Sequence, residues 1–361
     1  MPKLTVTRYA AALCLALTTF TSPGQVTTPR VPSPAASVSQ TVGISTIGVS
    51  YSRPSVRGRQ IWGALVPYGW NKQGFGLGND APWRAGANEN TVLHLSHDAK
   101  VEGQPVPAGD YGLFFVINKD NTAQVILSKD YRSWGSFFYD STHDQLRANI
   151  SPRSNAMTEL LTYDFQNVTK NSAELDCSWE KMQFPVKIEF DVDNIVMANA
   201  AQELQGSIGF TWIGFFTAAN YAFQNKVNYD QALTWIDHAI AMNANFNDLS
   251  LKSRLLKAAG KGDEADNVMK TAIDVSTEIE LNNYGYQLLA QKQEDKAIEM
   301  FVLNTQRHPK SANCFDSLGE AYALKGDKKN AILNFKKSLS LNPPAATKAN
   351  SEKYLRQFGA M

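Results

Sequence analysis

The stretch AELDCSWEKMQFPVKIEF, Ala173–Phe190, decides how the chain is read. Ala173, Leu175, Cys177 and Trp179 alternate with Glu174, Asp176, Ser178 and Glu180. Phe184, Val186, Ile188 and Phe190 then alternate with Pro185, Lys187 and Glu189. A period of two gives a strand one buried face and one wet face, which is the mark of an antiparallel sheet. Immediately afterwards the period changes. Asp193–Gln205 (DNIVMANAAQELQ) reads as a helix, with Asp193 or Asn194 as its cap. The chain is therefore expected to be β up to Phe190 and α beyond it.

Upstream the same alternation recurs in shorter runs. Ser37–Val42, Thr46–Tyr51, Thr91–Ser96 and Ala123–Leu127 read as strands, and Leu146, Ala148 and Ile150 share the inward face of another. Lys100–Val106 reads as a hairpin turning at Glu102-Gly103. Tyr111–Ile117 is apolar on both faces and so is expected at the centre of a sheet. Nine or ten strands of this kind make an antiparallel β-sandwich or open barrel. Downstream everything reads as helix, and it repeats. Gly285, Ala297, Phe301 and Pro309 recur as Gly319, Ala331, Phe335 and Pro343, each 34 residues later. This pattern resembles the tetratricopeptide repeat, in which each helix pair buries its apolar face against the next. Two weaker units fit near Phe210–Met242 and Leu249–Thr277, and Thr347–Phe358 reads as a closing helix. The expected organisation is a signal segment over 1–24, a Pro-rich lead-in over 25–36 and a β-sandwich over 37–190. A linking helix over 191–206 and helical repeats over 207–361 follow.

Composition narrows the function. From Gln25 to Phe190 there are 15 basic and 15 acidic residues; from Asp191 to the end there are 18 and 19. Neither half carries the basic excess of a nucleic-acid binder or the polybasic run of a membrane-surface protein. Lys3 and Arg8 precede a short apolar run, and Ser22, Pro23 and Gly24 offer small residues for cleavage. That is the form of a secretory signal, too short to span a bilayer, so an exported protein of the periplasm or the medium is expected. Cys177 and Cys314 fall in different halves, which argues against a disulfide between them. There is no CxxC pattern, Walker loop, GxSxG elbow or HExxH motif, and neither metal nor cofactor is expected.

The candidate site is the loop Tyr51–Asn90, which concentrates Arg53, Arg57, Arg59, Arg84, Trp62, Trp70 and Trp83 and ends on Asn88, Glu89 and Asn90. Arginine forks bind carboxylate or phosphate in two-pronged fashion, and tryptophans stack on flat ligands. The loop could equally serve its own fold, with Arg84 tied to Glu89 or to loop carbonyls and the tryptophans covering one end of the sandwich. Its candidate ligand residues are Arg53, Arg57, Arg59, Trp62, Trp83, Arg84, Asn88 and Glu89, for a glycan or a small anion. In the helical half, Asn220, Tyr221, Asn283, Tyr284, Asn313 and Asp316 fall on the first helix of their pairs and are candidates for gripping a protein or peptide. The leading expectation is a non-enzymatic binding protein. The alternative is a carbohydrate-binding module or hydrolase, with Glu89 as acid or base and Arg84 holding an anionic group.

Six segments of the β half carry a family resemblance. They are VSQT (38–41), YSRPSVRGR (51–59), IWGALVPYG (61–69), WRAGANE (83–89), KVEGQPVPAGDYGL (100–113) and WGSFFYD (134–140). In their order and density they resemble an exported bacterial family catalogued as domain of unknown function 2911, over about Pro32–Phe190. The resemblance implies architecture and export, and no chemistry. Between Tyr68 and Trp83 the chain is longer than the compact family pattern. The added residues, about Asn71–Asp80 (NKQGFGLGND), are expected to move or to meet a partner.

Overall fold

The computed structural model describes residues 32–361; the signal segment expected over 1–24 and the start of the Pro-rich lead-in lie outside the described residues. The chain divides into two units, Met1–Phe190 and Asp191–Met361.

In the first unit, β1 (Ala35–Val42) and β2 (Ser45–Ser52) form a hairpin, and β3 (Asn71–Lys72) pairs with β4 (Asp80–Ala81) inside the long loop. Next come β5 (Thr91–Leu95), β6 (Ala99–Val101), β7 (Gln104–Val106), β8 (Gly109–Ile117) and β9 (Ala123–Ser128). The unit ends with β10 (Asp144–Ile150), β11 (Arg153–Gln166) and β12 (Ser172–Phe190). One sheet runs β1-β2-β5-β8-β9-β10, a second runs β11-β12-β6-β7, and every pairing is antiparallel. The sheets are open rather than closed into a barrel. The first strand takes in Ala35 and Ala36, so it begins two residues before the expected end of the lead-in.

Period-two alternation builds the core. Ile47, Val49, Leu93, Leu95, Leu113, Phe115, Val125 and Leu127 face inward from the first sheet; register places Val49 across from Leu93 and Phe115 across from Val125. Tyr163, Phe165, Leu175, Cys177, Trp179, Phe184 and Val186 face inward from the second. The two alternating runs quoted above are one continuous strand. Inward positions change from odd to even numbers around Glu180, whose φ is 52°, and the ladder with β11 slips there. That is the work of a β-bulge, which re-aims a strand without ending it. Strand β8 is buried on both faces as its composition requires. Phe114 and Val116, with Ile126 of β9, are covered on the outer side by Ala81 and Tyr139. The hairpin at Glu102 (φ 49°) and Gly103 (φ 78°) joins β6 to β7. Asp176 departs from the alternation: it was expected in solvent, yet only 2% of it is exposed.

The second unit holds ten α-helices among the described residues: α1 (Val192–Glu203), α2 (Trp212–Asn225), α3 (Tyr229–Met242), α4 (Phe246–Ala258), α5 (Gly262–Val275), α6 (Glu278–Ala290), α7 (Glu294–Arg307), α8 (Ala312–Leu324), α9 (Lys328–Ser340) and α10 (Ala345–Gln357). From α2 onward they pack as successive pairs, with α10 closing the stack. Gly285 of α6 and Gly319 of α8 explain the 34-residue period. A Cβ on Gly285 would stand 2.6 Å from Cζ of Phe301, and one on Gly319 would stand 2.9 Å from Cδ1 of Phe335. Each small residue therefore admits the aromatic ring of the paired helix. Phe301 packs with Leu288, Ala297 and Leu318; Phe335 packs with Ala331 and Leu355. Helix α1 is more than a link, since Met197 enters the core formed by Ala219, Ala222 and Ile236.

Candidate functional site

The Tyr51–Asn90 loop splits into parts with different jobs. Three residues serve the fold. Arg53 Nε donates to the Leu161 carbonyl (2.9 Å) and its Nη2 to Thr162 Oγ1 (2.7 Å), stitching the exit of β2 to β11. Trp62 Nε1 donates to Glu180 Oε2 at 3.3 Å, and its ring meets Trp83, Trp179 and Phe184 edge-on. Trp83 also stacks on Trp179 at 5.8 Å. The rings together close one end of the sandwich, with apolar area as the main stabilising term. Asn88 donates to the Ser33 carbonyl at 3.4 Å. The extension around Phe75 is held down: Leu77 N–H donates to the Phe137 carbonyl (3.0 Å), and Phe75 packs edge-on against Phe137 and Phe138.

Arg57, Arg59 and Arg84 come together elsewhere in the loop. They line one cleft of about 320 Å3, with Pro54, Leu65, Val66, Trp83 and Trp179 completing most of the wall. No carboxylate is among its lining residues. Arg59 is oriented by the carbonyls of Ser55 and Val56. Arg57 holds a left-handed φ of 50°, and its main-chain N–H donates to Glu159 Oε1 at 2.9 Å. Its guanidinium makes no hydrogen bond or ion pair among the described residues. Arg84 Nη1 donates to the Asn88 carbonyl at 2.5 Å, and the guanidinium lies 4.9 Å from the centre of the Phe137 ring. Burial lowers the Arg84 pKa from its ordinary value. Gly135 makes this placement possible: at φ 60° it passes over the Arg84 guanidinium, where any Cβ would collide.

A second cavity, about 160 Å3, shares Leu65, Trp83 and Arg84 with the first and adds Asn71, Gln73 and Ser136. Glu89 lines a different cavity with Ala35, Ser37, Ser50, Tyr51 and Asn90. Arg84 and Glu89 thus line different cavities. Trp179 is a core residue, as its inward alternation implies, and it also reaches the cleft wall; no sequence signal marks that second role or the role of Gly135. The inward alternation of β12 carries Trp179 to the end of the sandwich, but only tertiary packing brings it to the cleft wall.

On the helical unit the six candidates separate likewise. Tyr221 donates to Asp193 of α1 at 2.8 Å. Tyr284 packs on Phe246 within the core. Asp316 is buried and accepts from Asn350 (2.8 Å) and Ser351 (2.5 Å) of α10. These three are committed to internal contacts. Asn220 is half-buried, while Asn283 and Asn313 are exposed. Ile279, one turn before Asn283 on α6, is 71% exposed.

No curated protein matches the chain. Among solved structures, it is similar to YrrB, described as a TPR protein with an unusual peptide-binding site (17% identity, 45% of this chain, 84% of that chain, TM-score 0.28). It is also similar to MamA (15%, 42% and 89%, TM-score 0.28). A third likeness is to the C-terminal part of a TPR repeat-containing protein from Cytophaga hutchinsonii (16%, 47% and 78%, TM-score 0.30). At these scores the helix-pair architecture rests on the chain's own packing. Residues 33–188 match the family model described as Protein of unknown function (DUF2911), so the β unit is a domain of that family, followed by a tetratricopeptide-like helical unit.

Proposed function

We propose that this protein is an exported binding protein whose helical unit contacts a protein partner through the first helices of its pairs. The observation that carries the reading is the pairing of Ile279 with Asn283 on α6. Both are exposed, and residues four apart lie on one helix face. Asn313 of α8 stands 34 residues after Ile279, at the equivalent position of the next pair, and is exposed too. An exposed branched apolar side chain among amides supplies both the anchor and the adaptable hydrogen bonds that protein interfaces use. Export is part of the proposal through Lys3, Arg8 and the apolar run after them; recovery of the protein from the cytoplasm with its N-terminus intact would remove that part.

A photo-crosslinking amino acid placed at position 279 or 313 tests the contact in living cells. Both positions are expected to trap the same partner, while Lys296, exposed on α7, traps none. Equal labelling from all three positions would discard the face.

A further inference from the structure

We propose that the cleft between Arg57, Arg59 and Arg84 is a binding site for a small organic anion bearing a carboxylate or phosphate, with a neutral polar body reaching toward Asn71 and Gln73. This inference is independent of the helical face.

Four observations converge on it. Three arginines line one cleft of about 320 Å3, with no carboxylate among the lining residues. That volume is at the lower end of small-molecule sites. The donors are uncommitted or only partly committed. Among the described residues the Arg57 guanidinium has no partner, and Arg84 is half-buried against a carbonyl and an aromatic face, without a counter-charge. A buried cation without a counter-ion is costly, and an anion entering the cleft would offset that cost. Trp179 adds an independent sign. It lines the cleft, is 1% exposed, and its indole N–H is buried with no hydrogen-bond partner. A buried donor left unpaired costs free energy and calls for an acceptor. Finally, the adjoining cavity of about 160 Å3 shares Trp83 and Arg84, and apart from Arg84 its polar side chains are the neutral Asn71, Gln73 and Ser136. The charged end of a ligand is thus assigned to the first hollow, and neutral hydroxyl or amide groups to the second. Arginine forks suit the planar carboxylate and the tetrahedral phosphate alike.

The test uses the full-length mature protein, titrated calorimetrically and by tryptophan fluorescence, since Trp83 and Trp179 border the site. The probes are acetate, inorganic phosphate, glucuronate and glucose 6-phosphate, with glucose as the uncharged control. Saturable one-to-one binding is expected for at least one of the two organic anions, tighter than for acetate or phosphate and absent for glucose. Which of the two binds distinguishes a carboxylate from a phosphate ligand. Arg57→Ala combined with Arg59→Ala removes exposed side chains. It is expected to weaken binding about tenfold or more, the size of losing charge-assisted hydrogen bonds, with the melting temperature unchanged. Arg84→Lys keeps the charge, loses the fork and is expected to weaken binding as well. The proposal is overturned by any of three results. One is no saturation by either organic anion up to about 10 mM, beyond the millimolar range of weak sites. The second is equal affinity in the wild type and the double variant, which would mean an adventitious ion only. The third is binding of glucose as tight as that of the anions.

Discussion

A single glycine decides where a half-buried arginine of the loop can lie. Gly135 holds φ 60°, and a Cβ there would strike the Arg84 guanidinium. Gly135→Ala is therefore expected to combine backbone strain with a collision and to destabilise the β unit by about 1–3 kcal/mol, as overpacked sites do. Urea denaturation followed by tryptophan fluorescence measures this; a midpoint equal to that of the wild type would mean that Arg84 moves aside freely. Residue type alone pointed to Arg57, Arg59, Arg84 and Trp83, because Arg and Trp are costly residues to place in a loop without a contact to make. It could not separate them from Arg53 and Trp62, which have the same chemistry and are spent on Thr162 and Glu180. The difference lies in what the rest of the fold brings alongside each side chain.

At the scale of the element, α4 carries a mismatch between charge and burial. Asp248 sits in its first turn with 0% exposure. One carboxylate oxygen accepts from Asn245 at 2.9 Å and the other has no partner. Burial raises its pKa to about 6. The sign of the consequence follows from proton linkage. An unfolded Asp releases its proton near pH 4, the folded one near pH 6, so in that window the native state binds more protons. Stability from this group is greatest below about pH 4 and is lost as pH rises toward 6. Of the residues 34, 68 and 102 positions on, Asn282 and Asn350 carry an amide, whereas Asp316 is a carboxylate that accepts from Asn350 and Ser351. Asp248→Asn is therefore expected to raise the melting temperature at pH 7 and to flatten its slope between pH 4 and 6. A scanning-calorimetry series across that range checks it, and an unchanged slope would mean that another group sets the profile. Strand β12 shows the opposite kind of legibility. Both alternating runs were plain in the sequence, but the bulge at Glu180 that joins them was not, because a left-handed residue leaves no trace in the hydrophobic pattern.

At the scale of the molecule, two cores follow one another along the chain. One lies between the two sheets and the other runs through the helix pairs. Residues 32–190 and 191–361 expressed separately are each expected to unfold cooperatively on heating, since each unit buries its own apolar set. A fragment without a cooperative transition would show that its core is incomplete alone. Architecture was legible because it is periodic. The two-residue period of the strands, the 34-residue recurrence of Gly285 and Gly319 and the double-sided apolar run of β8 each encode which face is buried, and burial is the dominant stabilising term. Those features, and the charge balance, were determined by sequence alone. Tertiary structure alone decided the cleft. Arg57 and Arg84 are 27 positions apart and Trp179 is 95 beyond Arg84, and no period links them. Their meeting depends on where the loop crosses the end of the sandwich, which is set by packing contacts among Trp62, Trp83, Trp179 and Phe184. The same packing that closes the core there leaves three arginines lining one hollow, and a linear pattern carries no record of such a non-repeating contact.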